Sequence, residues 1–432
     1  MFRHLGAVLI AAMALAVVPA RSDSLVQQSR ALYEQGKAAY KAGKFAEAAK
    51  DFSAMLALRP HSLRALYNFA ACSAKAGNAN DAIRALNAYA DMGLIADVEH
   101  DSDFDALKDM PAFKAVLDKL HANGKPVGES KIIATLTEPF LAEGIAYDSV
   151  GKRFFISSVD QRKIVQIAAD GTATDFVPSA RDGLLGAFGM AIDPKRQLLW
   201  VATSGMPHAR GLSELERRRV GAIAFSLLDG RQVARADILA KDQQTTGVIG
   251  DLALATDDMV YATDSVLPQI YAVSQPTTTK PGSFDWLRSE GFGSLQGMTT
   301  TPDGKGLIVA DYSMGLHFID RATKAIQTID FADGTTLLGI DGLYRAGNQL
   351  LAVQNGVAPQ RILALTLDAS GRTISSVKVL SANDPNIPEP SLGTVKGDEF
   401  CVVANAQWSR FNDDGTRKQD LDPPRIACVK LK

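Results

Sequence analysis

The chain has little cysteine, no long apolar stretch and no block of like charge, and each shortage removes a class of protein. Three cysteines in 432 residues, Cys72, Cys401 and Cys428, are too few for a disulfide scaffold. The N-terminal apolar run, Leu5 to Val18, is too short for a transmembrane span. A formal net charge of −2, without a block of like charges, argues against a nucleic-acid or anionic-membrane partner. The one local basic run, Arg217 to Arg219, follows SELE and reads as a solvated loop face. There is no glycine-rich phosphate loop, no C-x-x-C or H-E-x-x-H zinc pattern and no G-x-S-x-G nucleophile turn.

What is present begins with a segment that reads as an export signal. Arg3 and His4 precede the apolar run, and Val18-Pro19-Ala20 supplies small residues at the −3 and −1 positions of a cleavage site. Cleavage near Ala20 predicts a mature protein in the bacterial periplasm or outside the cell, with no membrane span. Cys401 in EFCVVA and Cys428 in RIACVKL lie on two strand-like runs. They read either as a pair that an oxidising compartment would join or as two small buried apolar residues.

Composition, 46% hydrophobic and 22% charged, leaves room for two or three domains. Residues 27–125 carry helical periodicity. Within ALYEQGKAAYKAGKFAEAAKDFSAMLALRP, the order Gly36, Gly43, Phe45, Ala48, Phe52 and Pro60 resembles a tetratricopeptide repeat. A shift of 34 residues carries Gly43 onto Gly77 and Ala48 onto Ala82, which makes a second unit. DSDFDALKDMPAFKAVLDKLH then reads as a capping segment, with Pro111 opening its last helix. Two repeats are fewer than an independent solenoid requires. The helical module is therefore expected to lean on the rest of the chain or on a protein partner.

From residue 131 the period becomes strand-like. A short unit recurs as EGIAYD–KRFFISS, FGMAID–RQLLWVAT, GDLALA–DMVYATD, QGMTTT–GLIVADY, DGLYRA–NQLLAVQ and PSLGTV–DEFCVVAN. The first residues are Glu143, Phe188, Gly250, Gln296, Asp341 and Pro390, spaced by 45, 62, 46, 45 and 49. The long gap holds the inserted loop SGMPHARGLSELERRRV. Six units of about four strands predict a six-bladed β-propeller over 131–432. The last unit has room for three strands, so KIIATLTE, 131–138, is expected to complete it and close the ring. The fold class is thus multi-domain: all-α tetratricopeptide-like hairpins, then an all-β propeller.

The start of each innermost strand faces the central channel at one end, so the six first residues should converge there. Turn positions would be mostly Gly, Pro, Asn and Asp. This ring instead holds the oxygen donors Glu143, Gln296 and Asp341, with Asp251 one position further in. Converging carboxylate and carbonyl oxygens suit a hard divalent cation such as Ca²⁺. Without one, neighbouring carboxylates push a proton onto one of them. Each residue also has an ordinary use, Asp341-Gly342 as a turn pair and the others as partners for backbone amides. His208, in the inserted loop, reads as a surface histidine or as a catalytic group folded over the channel.

Over 131–432 these motifs resemble the six-bladed propellers of the gluconolactonase, regucalcin and strictosidine-synthase-like group. Its E-G, fourth-blade N-G and fifth-blade D-G metal motifs fall on Glu143-Gly144, Gln296-Gly297 and Asp341-Gly342. The resemblance implies a divalent cation, calcium by preference, on Glu143, Gln296 and Asp341, and a lactone or ester substrate with Asp341 as general base. Two departures are visible: Gln296 stands where the family has asparagine, and Gly250-Asp251 stands where it often has N-D. Asn405 and Trp408 in VVANAQW resemble a last-blade segment of the group, and Asn355 in AVQNG holds the matching place one blade earlier. Asp251, Asn355, Asn405 and His208 are the expected substrate-side residues. The rival expectation is a non-catalytic ligand-binding or scaffold protein whose helical repeats hold a protein partner.

Overall fold

A computed structural model describes residues 24–239, 247–256, 258–274, 283–329, 331, 334–368 and 370–431. The expected export signal, 1–20, lies outside them. Five α-helices come first: α1 (Leu25–Lys41), α2 (Phe45–Leu58), α3 (Leu63–Lys75), α4 (Ala79–Asp91) and α5 (Pro111–Asn123). None of the described helices is long and apolar enough to cross a membrane. Ser24 opens α1 with a capping box, its hydroxyl accepting from the Gln27 backbone and the Gln27 side chain accepting in return. Gly36 lets the Phe52 ring of α2 approach closely: a Cβ there would lie 2.9 Å from the ring. Gly43 and Gly77 turn α1 into α2 and α3 into α4 with φ of +73° and +83°, which a glycine adopts without strain. A 3₁₀ turn, Ser102–Leu107, precedes α5, and Pro111 starts that helix.

The rest folds as six four-stranded antiparallel sheets arranged radially. Their inner strands are Ala142–Asp148, Gly186–Asp193, Ile249–Leu254, Leu295–Thr300, Gly342–Ala346 and Gly393–Lys396. These neighbour one another in turn, and the last returns to the first, so the ring is closed. The first five blades are continuous in sequence. The sixth takes Ser130–Thr135 as its outermost strand, paired with Arg425–Lys430. Joining both ends of the propeller in one sheet removes the seam. Cys401 and Cys428 sit opposite each other in that sheet and form a disulfide, which decides between the two readings of the pair. Cys72 is free and buried.

Small residues in the inner strands are required by the next blade. A Cβ on Gly144 would lie 2.1 Å from the Phe188 carbonyl oxygen, and one on Gly189 would lie 2.1 Å from Asp251 Oδ1. Pairing of the inner strand to the next also slips at Ala142/Ile145, Ala187/Met190, Ile249/Asp251 and Leu295/Met298. Bulges of this kind re-aim side chains at strand ends, and they coincide here with the ring residues of the first four blades.

The helical module leans on the fifth blade. Val357, in the loop between that blade's second and third strands, packs into the core of α3, α4 and α5. The Ile95 N–H donates to the Ala358 carbonyl at 2.7 Å. Arg361 donates to the Met92 carbonyl at 2.8 Å and to Gln354 Oε1 at 2.7 and 3.0 Å. Asn383 donates to the carbonyls of Asn123 and Lys125. Part of the surface that two repeats leave uncovered is thus buried within the same chain.

Candidate functional site

The inner strands carry the six ring residues to one end of the channel. Glu143, Phe188, Gly250, Gln296, Asp341 and Pro390 all line a single cavity of about 370 Å³. A second tier comes from residues that follow each blade's second strand, which runs antiparallel to the first and ends at the same rim. Ser265, Tyr312 and Asn355 occupy that place in blades three, four and five. Trp408 and Glu389 complete the polar wall from the sixth blade. Among the described residues, Glu143, Asp341 and Glu389 are its acids, and no Lys, Arg or His lines it.

Glu143 is 7% exposed, and its Oε2 accepts from the Trp408 indole N–H at 2.6 Å. Burial pushes its carboxyl well above the ordinary range, the negative charge of Asp341 adds to this, and the Trp408 bond opposes both. Asp341 is pushed up to about 6 by burial, against the bond from Asn355 Nδ2 to its Oδ2 at 2.7 Å. The other end of that amide, Asn355 Oδ1, accepts from the Tyr312 hydroxyl at 3.1 Å. Burial raises the Tyr312 phenol, so it stays a donor. Two carboxylates facing one low-dielectric space are held at a cost that either a shared proton or a cation relieves.

Gln296 reaches toward blade three. Its Oε1 accepts from the Ser265 hydroxyl at 3.1 Å, and its Nε2 donates to Ser294 Oγ at 3.2 Å. A Cβ on Gly250 would come within 2.8 Å of Ser265 Oγ and 3.6 Å of Gln296 Oε1. The two sequence departures therefore meet in space: the longer amide lies over the side chain that Gly250 lacks.

Asp251 is not on the cavity wall. Its carboxylate fills the space left by Gly189, its Oδ1 accepts from the Leu252 N–H at 2.8 Å, and burial pushes it up to about 8. The order Gly-Asp, where Glu143-Gly144 and Gln296-Gly297 have the bulky residue first, turns this side chain between the blades. Asn405 is spent on the chain's own turn, donating to the Pro423 carbonyl and accepting from the Arg425 N–H. His208 packs behind Trp408 and Phe411 with ring centroids 5.1 and 5.4 Å away, and burial lowers its pKa. It supports the back of the tryptophan and does not line the cavity.

The donor chemistry fits a hard cation. Glu143, Asp341 and Gln296 offer only oxygen, and the cavity leaves space for water or ligand oxygens. Glu143, Asp251 and Asp341 do not close on one another as a set. Among the described residues, the one trio of acidic or thiol groups with ligand atoms within 4.8 Å of one another is Glu399, Cys401 and Cys428. Its two sulfurs are already bonded together.

Tyr312, Ser265 and Glu389 escaped the sequence reading. The signal for the first two was the residue immediately after each second strand, a position as periodic as the ring itself. Glu389 lies just ahead of Pro390 and has no counterpart in the other blades.

A family model described as tetratricopeptide repeat matches residues 39–92. No curated protein sequence matches the chain. Among solved structures, a gluconolactonase from Xanthomonas campestris is 13% identical, covers 72% of this chain and 93% of its own, with a TM-score of 0.47. Regucalcin from Agrobacterium tumefaciens, a calcium-binding protein, is 13% identical over 68% of this chain and 93% of its own, with a TM-score of 0.46. A virginiamycin B lyase from Staphylococcus aureus is 13% identical over 70% and 99%, with a TM-score of 0.45. Likenesses of this size are no basis for assigning a substrate.

Proposed function

We propose that the channel end of the propeller holds a divalent cation, calcium by its oxygen donors, and that the protein is an exported hydrolase of a lactone or ester. One observation carries the ion: a cavity lined, among the described residues, by three carboxylates and no cationic side chain, in which Glu143 is buried, Asp341 half-buried, and both are raised. Glu143, Asp341 and Gln296 would hold the ion. When bound, it would supply the positive charge that polarises a substrate carbonyl.

The chain's own groups have distinct tasks. Asn355 ties one oxygen of Asp341, which leaves the other to take a proton from water. Tyr312 fixes the amide of Asn355 and so the orientation of the carboxylate. Trp408 holds Glu143 by one oxygen in the same way and forms part of the cavity wall. Ser265 and Ser294 set the Gln296 amide.

Calorimetric titration with calcium, on the parent and on Glu143→Gln and Asp341→Asn, tests the ion. Saturable binding in the parent and its loss in both variants is expected; a parent that neither binds calcium nor gains thermal stability from it ends the proposal. A panel of lactones and aryl esters with calcium supplied tests turnover. Ion binding without turnover would favour the second reading, a ligand-binding protein whose repeats, matched by the tetratricopeptide model, hold a protein partner.

A further inference from the structure

A second cavity, of about 460 Å³, lies between the helical module and the propeller. Its helical wall comes from α1, α2 and α3, and its propeller wall includes Tyr312 and Gly356. Arg30, Arg59 and Arg64 line it, and among the described residues its only acid is Glu34, which pairs with Lys37 at 3.7 Å.

Arg59, at the end of α2, is the informative one. Burial lowers its pKa, and its guanidinium has no ion-pair or hydrogen-bond partner among the described residues. The opposing charge that bears on it is Asp311, whose oxygens already accept from the backbone of Gly293, Ser294, Ser313 and Met314 and from the Ser313 hydroxyl. A partly desolvated guanidinium without a counter-charge is costly unless something else pairs with it. An independent feature points the same way. Ser29 is 2% exposed, lines the cavity, and its hydroxyl has no hydrogen-bond partner among the described residues. Buried hydroxyls are normally satisfied, so this one is short of an acceptor.

Apart from Ser313, whose hydroxyl donates to Asp311, the remaining side chains of the wall are apolar or aromatic. Met55, Leu63 and Leu338 line the cavity, and Tyr33 lies under the Arg64 guanidinium at 5.1 Å from its ring centroid. Such walls suit a ligand with an organic body better than a bare inorganic ion.

We infer that this crevice is a binding site for a small organic carboxylate, with the acid group on Arg59 and the Ser29 hydroxyl and the apolar body against Met55, Leu63 and Tyr33. Arg64 and Arg30 draw the anion in from solvent. Tyr312 is a wall of both cavities, and its hydroxyl bonds the asparagine that holds Asp341. Occupancy of the crevice is thereby in contact with the channel site through a single side chain. The inference does not rest on the hydrolytic reading.

Calorimetric titration of the full chain with benzoate, hexanoate and inorganic phosphate, at fixed ionic strength, tests it. Benzoate or hexanoate should bind saturably and more tightly than phosphate. Arg59→Gln should weaken binding roughly tenfold or more, and Arg64→Gln, on an exposed face, by a few fold. Glu143→Gln, in the other cavity, should leave it unchanged, which separates this outcome from that of the calcium titration. The inference is overturned if none of the three anions binds the parent, if phosphate binds best, or if both arginine variants bind like the parent.

Discussion

Asn355 holds Asp341 by one oxygen only, with Nδ2 and Oδ2 2.7 Å apart. The asparagine is itself fixed at both ends, by the Tyr312 hydroxyl on its oxygen and by donation to the Pro390 carbonyl at 3.0 Å. Blades four, five and six thus meet on the asparagine that holds this carboxylate.

Replacing that asparagine should be felt at Asp341 before it is felt in stability. Asn355→Ala removes the bond that opposes burial, so the Asp341 carboxyl should rise from about 6. Calcium affinity at neutral pH should fall by roughly tenfold, the worth of one charge-assisted hydrogen bond. Titrating calcium at several pH values reads both effects. An affinity equal to the parent's across the range would show that Asn355 does not position Asp341.

Trp408 should report on the ion. Its indole N–H bonds Glu143, and its ring stacks near Phe188 with centroids 6.4 Å apart. Calcium should alter the intrinsic fluorescence, and Trp408→Phe should abolish the change while keeping the ring packing. Loss of the buried bond should cost about 1–3 kcal/mol in denaturant unfolding. A calcium-dependent signal that survives in Trp408→Phe would place its source at another tryptophan.

Stability without calcium should fall as pH rises. Asp341 and Asp251 are raised to about 6 and about 8 from an ordinary value of 3.8. Each therefore contributes stability that is complete below its unfolded pKa and is lost as pH passes its folded one. In chelator, Tm should decline between about pH 4 and pH 8, from the unfolded value to the higher of the two folded ones. The increment gained from calcium should grow over the same window, because the ion favours the charged forms of Glu143 and Asp341. A Tm that climbs with pH in chelator contradicts this assignment of the carboxylates.

Docking of the two modules should hinge on Arg361. Burial lowers its pKa to about 10, and its guanidinium satisfies both the Met92 carbonyl and Gln354 Oε1. Arg361→Met leaves those acceptors unpaired, which should cost about 2–4 kcal/mol. Proteolysis should then appear between α5 and the first strand, near Gly124 to Gly128. Protease resistance equal to the parent's would mean that Val357 and the Ile95–Ala358 bond suffice for docking.

Much of the architecture was legible because it repeats. The 34-residue shift from Gly43 to Gly77 located two helical hairpins, and glycines at those turns fall where positive φ is needed. The recurring small-apolar strand starts located six blades, since a strand near the axis has space for little more than glycine beside its neighbour. The same period drew Glu143, Gln296 and Asp341 toward one axis. It could not say which way Asp251 turns. That depended on the empty space at Gly189, a residue of the preceding blade and 62 positions away in sequence.

The sequence by itself thus determined the elements, their number and the ring of oxygen donors, because period and side-chain volume are local properties of a chain. Only the tertiary structure decided what those groups touch. It joined Trp408 to Glu143 across 265 residues, set Gln296 over the gap at Gly250, and seated the helices on Arg361. Hydrogen bonds and burial depend on distances between remote segments, and no spacing in the sequence encodes them. The crevice at Arg59 exists only because two separately legible modules pack together in one arrangement.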